Sequence, residues 1–102
     1  MLSLLEEIVN TESGVKQIDG VNAVCAILRR EMEQAGIQTR LVPVKNAGDM
    51  LVGEWNPQGN AAPLLLIGHM DTVFPTGTVQ KNPFRVDENG LAHGPGVLDM
   101  KA

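Results

Sequence analysis

Apolar residues recur at steps of three and four in two stretches of the chain. Leu4, Leu5, Ile8 and Val9 predict a short amphipathic helix over Leu2–Val9. Asn10-Thr11-Glu12-Ser13-Gly14 then breaks it with turn-forming residues. Ile18, Val21, Val24, Cys25, Leu28, Met32 and Ala35 predict a longer helix over Ile18–Ala35, with Arg29, Arg30, Glu31 and Glu33 falling mostly off the apolar face. Gly36 follows directly and suits a left-handed C-terminal cap.

Beyond Gly36 the period changes. Ile37–Val44 alternates loosely and predicts an edge strand, because Pro43 cannot donate to a ladder. Asn46-Ala47-Gly48-Asp49 forms a turn, and Met50–Trp55 reads as a second strand, so the two fit an antiparallel unit. Leu64-Leu65-Leu66-Ile67 is apolar on both faces, as in a strand buried in the middle of a sheet. Val73–Pro83, with Pro75, Gly77 and Pro83, reads as an exposed loop. Phe84–Val86 and Leu91–His93 flank Asn89-Gly90, a hairpin signal. Helix, strand, strand and buried strand in this order open an α/β layered domain.

Composition narrows the function classes. An apolar fraction of 43% over 102 residues is that of a globular chain, one small domain or part of a larger one. A net charge of -4 with Arg29-Arg30 as the only adjacent basic pair argues against nucleic acid as a partner. No apolar run approaches membrane-spanning length, and the start brings in Glu6 and Glu7 where a secretory leader has a basic region. A cytoplasmic protein with no membrane partner is the expectation. The single cysteine, Cys25, excludes an internal disulfide and reads as a small buried hydrophobe. Glu6-Glu7 lies on the polar side of the first helix and reads as a solvated face.

The apolar run ends in His69-Met70-Asp71. In α/β sheets reactive groups collect just past the carboxyl ends of buried strands. In extended geometry the side chains of residues 69 and 71 point to the same side. A neutral imidazole binds zinc well, and a carboxylate on its other nitrogen fixes the tautomer. By itself the pair also fits a polar cap on a strand end. Asp99 adds weight: it follows Gly94-Pro95-Gly96, a turn that lets backbone approach a site closely, and a carboxylate can bridge two metals. His93 falls on the predicted hairpin and reads as a hairpin residue rather than a ligand.

Ile67–Val73 together with Gly94–Lys101 closely resembles the dizinc metallopeptidases that include glutamate carboxypeptidases, acetylornithine deacetylase, succinyl-diaminopimelate desuccinylase and aminoacylase. Lys81–Val86 and the Gly-Pro-Gly turn are most similar to the glutamate carboxypeptidase branch; many relatives carry arginine where Pro95 stands. The resemblance extends over nearly the whole chain. It implies an incomplete N-terminal part, residues 1–102, of a three-layer α/β/α zinc-exopeptidase catalytic domain with a mixed, mostly parallel sheet. It implies that His69 binds one zinc, that Asp71 is the catalytic aspartate that orients His69 and tunes the site, and that Asp99 bridges two zincs. It implies a cis peptide at Asp99–Met100, and zinc replaceable by cobalt or manganese.

The implied activity is hydrolysis of an amide in a small peptide or N-acyl amino acid by a metal-activated water, with release of a C-terminal glutamate in view. A deacetylase or desuccinylase of amino-acid biosynthesis is the alternative within the family, and a non-catalytic remnant the alternative outside it. The resemblance also implies that the general-base glutamate, the remaining ligands and the lid domain lie beyond Ala102. The 102-residue chain alone is therefore expected to be inactive. The family allows a homodimer of the intact enzyme. A central strand also needs neighbours on both edges, so Leu64–Ile67 is expected to be partly exposed and aggregation-prone in this chain.

Overall fold

The computed structural model describes residues 1–102. Helix α1 spans Leu2–Asn10 and α2 spans Ile18–Gln34. Strands β1 (Gln38–Val42) and β2 (Met50–Glu54) pair antiparallel, with Leu41 opposite Leu51. A single turn of helix, α3, spans Thr78–Lys81, and β3 (Arg85–Val86) pairs antiparallel with β4 (Ala92–His93). The chain closes with a wide turn over Val97–Lys101 in which Asp99 and Met100 leave helical geometry. No helix is long and apolar enough to cross a membrane.

Both long helices follow the apolar spacing. The end of α2 is a Schellman cap: Gly36, at φ +78°, donates to the Glu33 carbonyl, and the Ile37 N–H reaches back to the Met32 carbonyl. α2 lies on β1 and β2 because the facing positions are small. A Cβ on Gly53 would come within 3.1 Å of Met32 Sδ, and one on Gly48 within 2.4 Å of Val21 Cγ1. Asn22 Oδ1 accepts the Asp49 N–H at 2.7 Å and ties the β1–β2 connection to the helix.

The core is small. Ile8 and Val9 of α1 and Val21, Val24 and Cys25 of α2 supply its buried apolar side chains. Burial pushes the Cys25 thiol pKa up, as expected of a packing cysteine. Two buried polar residues, Ser13 and Thr72, sit where the α1–α2 connection meets the segment after His69. There the chain makes one parallel bridge, with Thr72 N–H on the Ser13 carbonyl and Val15 N–H on the Thr72 carbonyl.

The predicted buried strand at Leu64–Ile67 does not form. These residues join no ladder and are 77–84% exposed. Their apolar pattern specifies a strand covered on both faces, and no element of this chain lies on either face. The chain is thus mixed α/β with two short antiparallel sheets. The stretch Val73–Pro83, expected to be loop throughout, carries α3. The 84–93 hairpin forms as expected, with Gly90 at φ +78° and the Asp87 carboxylate accepting the Asn89 and Leu91 N–H groups.

Candidate metal centre

His69, Asp71 and Asp99 come together at one exposed edge of the molecule. His69 Nε2 lies 3.0 Å from Asp99 Oδ1. His69 Nδ1 lies 3.0 Å from the Asp71 main-chain oxygen and 3.4 Å from Asp71 Oδ1. The nearer partner of Nδ1 is therefore the carbonyl, with the carboxylate, expected to be the orienting group, behind it. His93 is apart from this group: its Nε2 meets Asp87 Oδ2 at 2.8 Å within the hairpin.

Both ring nitrogens of His69 face oxygen acceptors, an arrangement that favours the doubly protonated ring when no metal is bound. The Asp71 carbonyl first, then the Asp99 carboxylate, raise the His69 pKa above its ordinary 6.5. The same geometry suits a metal ligand. Nδ1–H stays on the Asp71 carbonyl, which fixes the tautomer and leaves Nε2 free to bind a cation. The 3.0 Å between Nε2 and Oδ1 is close to the roughly 3.3 Å edge of a tetrahedron with bonds of about 2.0 Å. An imidazole nitrogen and a carboxylate oxygen are zinc donors, so the pair fits as part of a zinc site. They are two donors only, and no group of three or more His, Cys, Asp or Glu in the chain is arranged so that it could hold a metal ion.

Asp99 is delivered by the Gly94–Lys101 turn. Gly96, at φ +77°, lies so near Thr72 that a Cβ would come within 2.7 Å of Thr72 Cγ2; one on Gly94 would meet Val9 Cγ1 at 2.4 Å. Glycine is what lets this turn press against α1 and the His69 segment at once. The Asp99–Met100 peptide bond is cis. Lys101 reaches back, its Nζ donating to the Ile8 carbonyl at 2.9 Å and the Thr11 carbonyl at 2.8 Å. Burial pushes the Lys101 ammonium down to about 8.

The α1–α2 connection carries polar groups whose positions the sequence pattern did not single out. Ser13 Oγ donates to the Met70 carbonyl at 2.9 Å. The Glu12 carboxylate accepts the Gly77 N–H at 2.6 Å and the Val79 N–H at 3.2 Å. Desolvation acts upward on Glu12, yet these bonds and one from Gln17 hold its pKa below the ordinary value. The only signal in the sequence was Glu12-Ser13-Gly14 itself, which reads as a helix breaker.

The model of the peptidase family M20/M25/M40 matches residues 65–102, which include His69, Asp71 and Asp99. The chain is 37% identical over 105 aligned residues to carboxypeptidase G2 of Pseudomonas sp. (strain RS-16), covering 99% of this chain and 24% of that protein. It is 47% identical over 53 residues to succinyl-diaminopimelate desuccinylase of Stutzerimonas stutzeri (strain A1501), covering 46% of this chain and 14% of that protein. The chain thus spans about a quarter of the length of the first of these relatives.

Proposed function

The chain belongs to peptidase family M20/M25/M40, in its glutamate carboxypeptidase branch, and from that premise we propose that residues 1–102 are the N-terminal portion of a zinc-dependent hydrolase's catalytic domain. In that reading the exposed Leu64–Ile67 run becomes a central strand of a three-layer α/β/α domain once further strands flank it. His69 Nε2 and the Asp99 carboxylate, 3.0 Å apart, would hold zinc there, with Asp99 as the ligand shared by two ions. Asp71 holds the Nδ1 proton through its carbonyl, with its carboxylate 3.4 Å away adding negative charge behind the ring. Bound there, zinc would supply Lewis-acid polarisation of a scissile carbonyl and a water of lowered pKa. The general base and remaining ligands come from outside these residues, so the 102-residue chain alone is inactive.

The observation that carries this reading is the 3.0 Å approach of His69 Nε2 to Asp99 Oδ1 across thirty residues of sequence, with Nδ1 held on Asp71. The proposed substrate is a small peptide or N-acyl amino acid with a free carboxylate, ending in glutamate. It is tested by incubating the natural product of the coding sequence with N-acyl-glutamates and measuring free amino acid. Zinc-dependent release, abolished by His69→Ala, supports the reading; no hydrolysis of any N-acyl amino acid contradicts it. The local similarity to the desuccinylase favours a second reading, an N-succinyl or N-acetyl amidohydrolase. Faster turnover of N-succinyl than of N-acyl-glutamate substrates would select it.

A further inference from the structure

His69 and Asp99 are both exposed, and their side chains hydrogen-bond only with each other and with Asp71. That leaves the separation of the two side chains to the placement of their backbones. Both backbone segments are held on the same short stretch. The His69 segment is fastened to Ser13 and Val15 by three hydrogen bonds. Ser13 Oγ donates to the Met70 carbonyl, between His69 and Asp71, and the Thr72 N–H and carbonyl bond to Ser13 and Val15. The Asp99 segment is fastened by Lys101 Nζ to the Ile8 and Thr11 carbonyls, at the last turn of α1 and the residue after it. Further out, Asn10 Oδ1 accepts the Phe84 N–H, and Glu12 accepts those of Gly77 and Val79. Ser13 is 1% exposed. A hydroxyl buried there is kept by its hydrogen bond, since an unpaired buried polar group is destabilising.

We propose that the stretch from Ile8 to Val15 sets the spacing of the candidate metal ligands, with Ser13 positioning His69 and Lys101 positioning Asp99. Neither residue touches the reacting atoms; each acts through the backbone of a ligand segment. Lys101 lies two residues beyond Asp99, at the end of the turn that carries it, so its grip on α1 fixes the far side of that turn. Ser13 does the same from the opposite side through the carbonyl that links His69 to Asp71. The role as ligand positioners rests on the metal reading of His69 and Asp99; the geometric coupling does not.

The test is metal-free. Long-range 1H–15N spectra of the His69 ring and the 13C shift of the Asp99 carboxylate are recorded for the parent chain, Ser13→Ala and Lys101→Met. Val24→Ala, which loosens the core without removing any of these hydrogen bonds, serves as control. Lys101→Met keeps the apolar stem and removes the donor. Each of the first two variants is expected to move the His69 nitrogen shifts at least half of the way to those of a histidine in a short peptide. Lys101→Arg should restore them, and Val24→Ala should leave them in place. If both positioning variants keep parent shifts, or if Val24→Ala moves them as far, the proposal is overturned. If Ser13→Ala unfolds the β1–β2 pair, Lys101→Met decides. A natural protein that shows this coupling yet holds no zinc would overturn the proposed function and leave the positioning result standing.

Discussion

His69 carries an acceptor on each ring nitrogen, and two expectations belong to it. In the metal-free chain its charge persists above pH 6.5, so the stability it contributes is present below the ordinary histidine pKa and lost as pH rises through the raised one. An NMR titration of the ring checks this; a midpoint at or below 6.5 contradicts it. In the natural protein, Asp71→Asn should lower turnover more than zinc content, because it removes the carboxylate charge 3.4 Å from Nδ1 and keeps the main-chain carbonyl that holds the ring. Loss of both metals with normal folding would contradict that role. Gly96→Ala places a Cβ at φ +77° and 2.7 Å from Thr72 Cγ2. It should cost about 1–3 kcal/mol, read as a lower urea midpoint, and displace the Asp99 turn. Much at this scale was legible: a histidine, an aspartate two residues on and an aspartate after Gly-Pro-Gly carry recognisable chemistry. Ser13 was not, because a serine in a turn has the same pattern whether it faces water or a carbonyl fifty-seven residues away.

At the scale of elements, the helices and hairpins were legible because their signals are local: apolar periodicity for α1 and α2, and Asn89-Gly90 for the β3–β4 turn. Helix α3 was hidden because its support is remote. Gly77, at φ +89°, starts it, and the Glu12 carboxylate holds the Gly77 and Val79 N–H groups from the α1–α2 connection. Glu12 has a lowered pKa, so its stabilisation is present above the ordinary 4.5 and lost as pH falls through the lowered value. Amide protection at Gly77 and Val79, taken relative to the intrinsic exchange rate at each pH, should fall on acidification below about pH 4.5, and in Glu12→Gln at neutral pH, before that of α2. Equal loss of protection along α2 would show that Glu12 supports the whole fold rather than this element.

For the whole molecule, the misread segment is the informative one. Leu64–Ile67 has the composition of a strand covered on both faces, and periodicity alone cannot report whether covering elements lie in the same 102 residues. With four consecutive large apolar residues 77–84% exposed and no ladder partner, the chain should self-associate as concentration rises. Leu65→Glu should shift that association to higher concentration, measured by light scattering; identical behaviour of parent and variant would place the sticky surface elsewhere. The central claim is that His69 and Asp99 form the front of a two-zinc site. Elemental analysis of the natural protein tests it most directly, comparing parent and Asp99→Ala. The account predicts two zinc per polypeptide in the parent and loss from both positions in the variant; full zinc occupancy in Asp99→Ala would contradict it.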